Sequence, residues 1–134
     1  MSTHSAKRPL SPHLQIYSWG LHMAMSIVHR MTGVAAGAGF LALVWWLLAV
    51  AAGPEEYEFF RQAAVHPIGR VVMTGFVFSL VYHLLNGIRH LIWDTGQMLE
   101  IGQVRWSGVV VLLLSVASTL AIFTAVYHLA GRLG

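Results

Sequence analysis

Cysteine is absent from the 134 residues of this chain. Without thiolates it forms no disulfide and cannot hold an iron–sulfur cluster or a Cys-ligated zinc ion, and its redox compartment is left unmarked. Charge is scarce too. Asp, Glu, Lys and Arg make up 10% of the residues, against roughly 25% in a soluble domain, which argues against a water-soluble fold. The eight Lys and Arg exceed the five Asp and Glu, for a formal charge of +3. They stand singly between apolar runs, with no patch that would follow a phosphate backbone, so nucleic-acid binding is set aside. No glycine-rich phosphate loop on a strand–turn–helix is present to seat a flavin, and no internal repeat or low-complexity tract is visible.

What the chain does have is hydrophobic sequence, 57% of it. Three windows carry no charge: Met31 to Pro54, Val71 to Ile88, and Trp106 to Gly131, of 24, 18 and 26 residues. As helices they measure roughly 36, 27 and 39 Å, against about 30 Å of hydrocarbon, so the middle one must run past its charged flanks. Pro67 suits a helix N-terminus and nothing breaks the pattern up to Asp94. The first helix is expected to begin near Leu21. The chain is therefore read as all-α: an integral membrane protein forming one three-helix domain over residues 1–134. Its expected parts are an N-terminal arm at 1–20 and transmembrane helices at about 21–53, 67–94 and 106–131.

The first apolar run ends in Ala49-Val50-Ala51, which is similar to a signal-peptidase site. The run exceeds the roughly 7 to 15 residues of a signal core and starts late, so it is read as a retained helix. The N-terminal region lacks the many arginines of an organelle transit sequence, which points to a multi-pass protein of the bacterial inner membrane. Lys7, Arg8, Arg30, Arg89 and Arg105 fall on one face of the membrane and Arg61, Arg70 and Arg132 on the other, which favours a cytoplasmic N-terminus.

The informative residues are those that hydrocarbon rejects, at about 2.5 to 3.5 kcal/mol for a charge at mid-depth. On the first helix His22, Ser26, His29, Arg30 and Gly33 share a face. On the second, His83, Gly87, His90 and Asp94 follow the spacing i, i+4, i+7, i+11, again toward the expected cytoplasmic end. Arg30 and Arg89 mark similar depths on the two helices, so both stripes can face one site. His83 lies roughly 9 Å inside Arg89 along the axis. A neutral imidazole there either ligates a metal or haem iron or hydrogen-bonds to a neighbouring helix, and the ligand reading is favoured. Gly87 leaves room for a flat macrocycle or for a close helix. Gly33-x-x-x-Gly37 is expected to mark close helix approach, with a cofactor-facing groove as the second reading. Arg30 with His29 suits anionic groups such as haem propionates, or else lipid phosphates. Ser26 either donates a hydrogen bond to a carbonyl or bonds to its own helix. His4, His13, His66 and His128 are read as structural or interfacial. Trp19, Trp93 and Trp106 are read as interfacial anchors, and Trp45 and Trp46 have no assigned role.

The runs Arg8-Pro-Leu-Ser-Pro-His-Leu-Gln-Ile-Tyr17, Ser26-Ile-Val-His-Arg-Met-Thr-Gly33 and His83-Leu-Leu-Asn-Gly-Ile-Arg-His-Leu-Ile-Trp-Asp94 together resemble the cytochrome b membrane-anchor subunit of succinate dehydrogenase. The similarity covers essentially the whole chain, and the opening run is similar to the mitochondrial and alphaproteobacterial branch. The resemblance implies a complex in which a flavoprotein subunit oxidises succinate, an iron–sulfur subunit carries the electrons, and two membrane anchors reduce ubiquinone. This chain would be the larger anchor, not catalytic by itself. On the family pattern His83 falls on an axial ligand of haem b, with the other ligand supplied by the smaller anchor. Ser26 and Arg30 fall on the quinone site, His29 and His90 lie with Arg30 near the haem propionates, and Asp94 belongs to the quinone-side polar network. Ser26 as donor and Arg30 as fixed charge would stabilise negative charge developing on a quinone oxygen. Three alternatives stand beside this reading: a redox-silent anchor for a peripheral enzyme, a one-chain cytochrome ligated by His29 and His83, and the anchor of a related fumarate reductase.

Overall fold

Pro54 and Pro67 each open a helix, and together with Gly53 they divide the chain more finely than its apolar windows do. The computed structural model describes residues 18–133. Among them are four helices and no strand: α1 Leu21–Ala52, α2 Pro54–Val65, α3 Pro67–Asp94 and α4 Ile101–Leu133. The Arg8–Tyr17 run, Lys7, His4 and His13 lie outside the described residues. At 1.5 Å per residue, α1, α3 and α4 are roughly 48, 42 and 50 Å long, and no proline interrupts their interiors.

Only 17% of the most apolar window of each long helix is buried inside the protein. The remaining side chains point outward, among them Leu41, Val71 and Leu113, with relative exposures of 73%, 72% and 63%. Such surface is tolerated in hydrocarbon and not in water. The chain is a multi-pass membrane protein with three apolar spans.

The long helices form a bundle with α3 packed against both α1 and α4. Tyr82, Met25 and Val111 make its core, with Phe78 and Leu85 against them, and the Tyr82 hydroxyl donates to the Met25 carbonyl at 3.2 Å. Small residues set the spacing. Ala36 and Gly39 are buried on α1, and a Cβ at Gly39 would run into the Phe76 ring of α3. The close approach expected at Gly33-x-x-x-Gly37 is met at Gly33, where a Cβ would stand 3.0 Å from the His83 ring of α3, and not at Gly37. Gly37 is exposed with nothing within 4 Å of a Cβ, because α1 turns the Thr32, Ala36 and Gly39 side toward its neighbours. On α4 the buried residues Ser107, Val111, Ser115 and Thr119 recur every fourth position. The Ser115 and Thr119 hydroxyls are satisfied within their own helix, at 2.7 Å from the Val111 carbonyl and 2.8 Å from the Ser115 carbonyl.

The fourth element, α2, lies between the first two expected spans, where the apolar windows give no helix. Gly53 at φ 125° turns the chain out of α1, a conformation that a side chain would strain. Pro54 then opens α2, with Glu55 and Glu56 in the first turn where the helix dipole favours acids. Its apolar side answers the question of Trp45: Phe60 meets that ring edge-on at 4.9 Å and Phe59 at 6.2 Å. Its polar side carries the Glu58–Arg61 ion pair at 2.6 Å. A search for uncharged windows discards such a segment because its charges are its outer face. The same criterion delayed α4 to residue 106, whereas the helix begins at Ile101 and takes Arg105 into its first turns.

Candidate functional site

The N-terminal part of α1, the C-terminal half of α3 and the start of α4 meet at one end of the bundle. Helix periodicity directs His29 of α1 and His83 and His90 of α3 toward one another there. The His29 and His83 rings stack at 4.1 Å between centroids and within 8° of parallel. His90 lies 5.3 Å from His29 at a 42° tilt and meets Trp93 edge-on at 4.9 Å. All three imidazoles are half-buried.

His83 Nδ1 lies 3.2 Å from the backbone carbonyl oxygen of His29. A carbonyl only accepts, so Nδ1 carries the proton and Nε2 keeps its lone pair, the form that a nitrogen ligand requires. Gly33 backs the ring: a Cβ there would stand 3.0 Å from His83 Cε1 and 3.3 Å from Nδ1. One turn along α3, a Cβ on Gly87 would meet nothing within 4 Å. The missing side chain there does not serve packing between helices of this chain, and it leaves open space beside the histidines. His29 Nδ1 is buried without a hydrogen-bond partner among the described residues.

The stacked geometry also bears on a one-chain haem. An imidazole nitrogen donates in the plane of its ring, and two rings stacked face to face direct their lone pairs side by side rather than at one another. As arranged, His29 and His83 cannot clasp one iron from opposite sides. The stacking therefore does not favour one-chain ligation by this pair.

Beside the histidines a cavity of about 370 Å³ is lined by His22, Ser26, Asn86, Arg89, His90 and Trp93, with Leu99 and Val104 closing it from the α3–α4 connection and α4. Ser26 is half-buried on this wall. The structure thus gathers Ser26, His29, His83 and His90. Arg30 and Asp94, by contrast, are exposed and form no ion pair among the described residues.

Four further residues belong to this end and were not read as part of it. Arg89 was expected to mark the membrane boundary, yet it is 5% exposed. Its Nε donates to Ser107 Oγ at 2.8 Å, Nη2 to the Val104 carbonyl at 2.7 Å, and Nη1 to Asn86 Oδ1 at 3.2 Å. The guanidinium lies 4.0 Å over the Trp93 ring, so that Trp93 packs inward rather than serving only as an interfacial anchor. A lone arginine held by neutral acceptors fastens α3 to α4 and leaves a net positive charge at this end of the bundle. Tyr82, Asn86, Arg89 and Trp93 repeat the i, i+4, i+7, i+11 spacing of His83, Gly87, His90 and Asp94, one residue earlier. That second periodic stripe was the available signal, lying 100° around the same helix.

Comparison with known proteins agrees with these motifs. A family model described as succinate dehydrogenase/fumarate reductase transmembrane subunit matches residues 4–122. The chain belongs to this family. It is 45% identical over 119 residues to the human mitochondrial succinate dehydrogenase cytochrome b560 subunit, covering 87% of this chain and 70% of the relative. It is 40% identical over 118 residues to the succinate dehydrogenase cytochrome b556 subunit of Rickettsia prowazekii, covering 87% and 91%. The cytochrome b556 subunit of Paracoccus denitrificans is 42% identical over 100 residues, with 75% and 77% covered. A transmembrane subunit of this family is a membrane anchor, and the three apolar helices are its spanning part.

Proposed function

We propose that this anchor holds haem b through His83 and contributes Ser26 and Arg30 to a ubiquinone-reducing site in a bacterial inner-membrane succinate dehydrogenase. The observation that carries the reading is the His83 Nδ1 contact with the His29 carbonyl at 3.2 Å, which leaves Nε2 free as a ligand in a half-buried cluster. The open space beside Gly87 suits a flat group. The relatives carry cytochrome b and succinate dehydrogenase in their names, which supports haem b and favours this direction of flux over a fumarate reductase.

Haem, when bound, supplies a one-electron carrier. The chain's own residues do the rest. His83 would hold the haem iron through Nε2, with the second ligand supplied by the smaller anchor. His29, stacked on the His83 ring, and His90 beside His29 would hold the haem's propionate carboxylates together with Arg30. Ser26, half-buried on the cavity wall, donates a hydrogen bond to a quinone oxygen, and the Arg30 cation offsets the charge that develops there. Asp94, at the C-terminus of α3, extends the polar network on the quinone side. Arg30 and Asp94 are exposed in the isolated chain, as residues completed by a neighbouring subunit would be. Flavoprotein and iron–sulfur subunits must bring the electrons, since this chain has no cysteine for clusters. The chain alone is not catalytic, and the histidine end of the bundle faces the cytoplasm.

The test is the dithionite-reduced minus oxidised spectrum of the complex purified in mild detergent. The expected result is a haem b signal that His83→Ala abolishes while the subunits stay assembled. Retention of that signal in the variant, or its absence from an intact wild-type complex, would leave the redox-silent anchor as the account.

A further inference from the structure

The carbonyl oxygen of His29 serves two side chains. It lies 3.2 Å from His83 Nδ1, and it also accepts from Thr32 Oγ1 at 2.9 Å. Threonine hydroxyls in membrane helices commonly bond back to their own helix. What sets Thr32 apart is that the oxygen it bonds is the one that orients His83. Thr32 is 6% exposed, so that water cannot readily replace its hydroxyl, and its β-branched side chain is stiff at χ1.

We infer that Thr32 is a positioning residue for His83, setting through the shared carbonyl how electron-rich that imidazole is, and with it the redox potential of the haem. The inference rests on His83 being the axial ligand. A histidine that gives its Nδ1–H to a strong acceptor gains imidazolate character and becomes a more basic ligand, which favours the ferric over the one-electron-reduced ferrous state. A carbonyl whose lone pairs already receive the Thr32 hydroxyl is a weaker acceptor. Thr32 therefore holds His83 closer to neutral imidazole and the potential higher than an unshared carbonyl would.

The experiment compares the assembled complex in wild-type, Thr32→Val and Thr32→Ser forms by redox titration of the haem band and by low-spin electron paramagnetic resonance. Valine keeps the shape of threonine and removes the hydroxyl, whereas serine keeps the hydroxyl. In Thr32→Val the ferrous-to-ferric ratio at the wild-type midpoint is expected to fall about threefold, the scale of part of one hydrogen bond, at unchanged haem content. Thr32→Ser is expected to titrate as wild type. If Thr32→Val lowers haem occupancy, Thr32→Ala takes its place with the same expected direction. Equal midpoints in wild type and Thr32→Val, or a Thr32→Ser shift as large as that of valine, would overturn the inference. His83→Ala separates the two levels: haem retained in that variant defeats the ligand assignment, whereas haem lost there with no Thr32→Val shift defeats only the role of Thr32.

Discussion

The His29 and His83 imidazoles are stacked 4.1 Å apart and 8° from parallel, and the backbone carbonyl of the first lies 3.2 Å from the second's Nδ1. His29 thus acts on its partner twice, fixing the ring plane by its face and the tautomer by its main chain. The main-chain contact does not depend on the identity of the side chain at residue 29. Replacing that side chain should leave the tautomer of His83 set and release only the ring. His29→Ala is accordingly expected to retain haem with a broadened or shifted spectrum, where His83→Ala retains none. Paired spectra of the two variants check this.

Gly33 makes a graded companion test. A methyl group there would stand 3.0 Å from the His83 ring, so the ring must yield by a few tenths of an ångström. Gly33→Ala should keep most of the haem with altered low-spin resonance signals, and Gly33→Leu should lose it. Equal haem content in both would mean that the glycine does not support the ring.

Arg89 is expected to be the costliest polar substitution outside the histidines. Arg89→Leu removes three donors and leaves Ser107, the Val104 carbonyl and Asn86 Oδ1 without them, a loss of about 2 to 5 kcal/mol. Arg89→Lys keeps the charge but not the fork and should fall between. Thermal inactivation of the complex in detergent ranks the three proteins.

Packing at the other end of the bundle gives a contrast between neighbouring glycines. Gly39→Val drives a side chain into Phe76 and should destabilise by about 1 to 3 kcal/mol. Gly37→Val faces open surface and should be near neutral. A comparison of detergent unfolding midpoints decides whether α1 is rotated as described.

The ion pair on α2 is a pH probe outside the spans. The hydrogen bond from Arg61, followed by that from Gln62, holds the Glu58 carboxyl down from 4.5 to about 2. A folded value below the unfolded one contributes stability that is complete above about 4.5 and is lost as the pH falls through about 2. The pair is exposed, so its contribution is small and weakens with salt. Arg61→Ala should return the Glu58 midpoint toward 4.5, as read by carboxyl chemical shifts.

Much of the site was legible along the chain because helical spacing alone puts Ser26 with His29, and His83 with His90, on common faces. Arg30 and Arg89 show the limit. Both adjoin a histidine of the cluster and both were read as marking the membrane boundary, yet Arg30 is exposed and Arg89 is buried under α4. Each stands one position, or 100° of rotation, from its neighbour, and one residue's difference in direction sends the first outward and the second into the bundle. The amphipathic α2 escaped for another reason: its signal is a proline followed by acids, not an apolar run.

The number and approximate extent of the membrane spans are properties of the linear order of residues, since hydrocarbon accepts any long uncharged helix whatever lies beside it. The presence of histidines at helical spacing is equally one-dimensional. The rotation of each helix about its own axis is not. A helix apolar on nearly every side has no face that lipid must reject, so its rotation is set by shape, by Gly39 admitting Phe76 and by α4 offering Ser107 and the Val104 carbonyl to Arg89. Packing of that kind brought the His29 carbonyl to His83, a contact between residues 54 positions apart that no periodicity along either helix specifies.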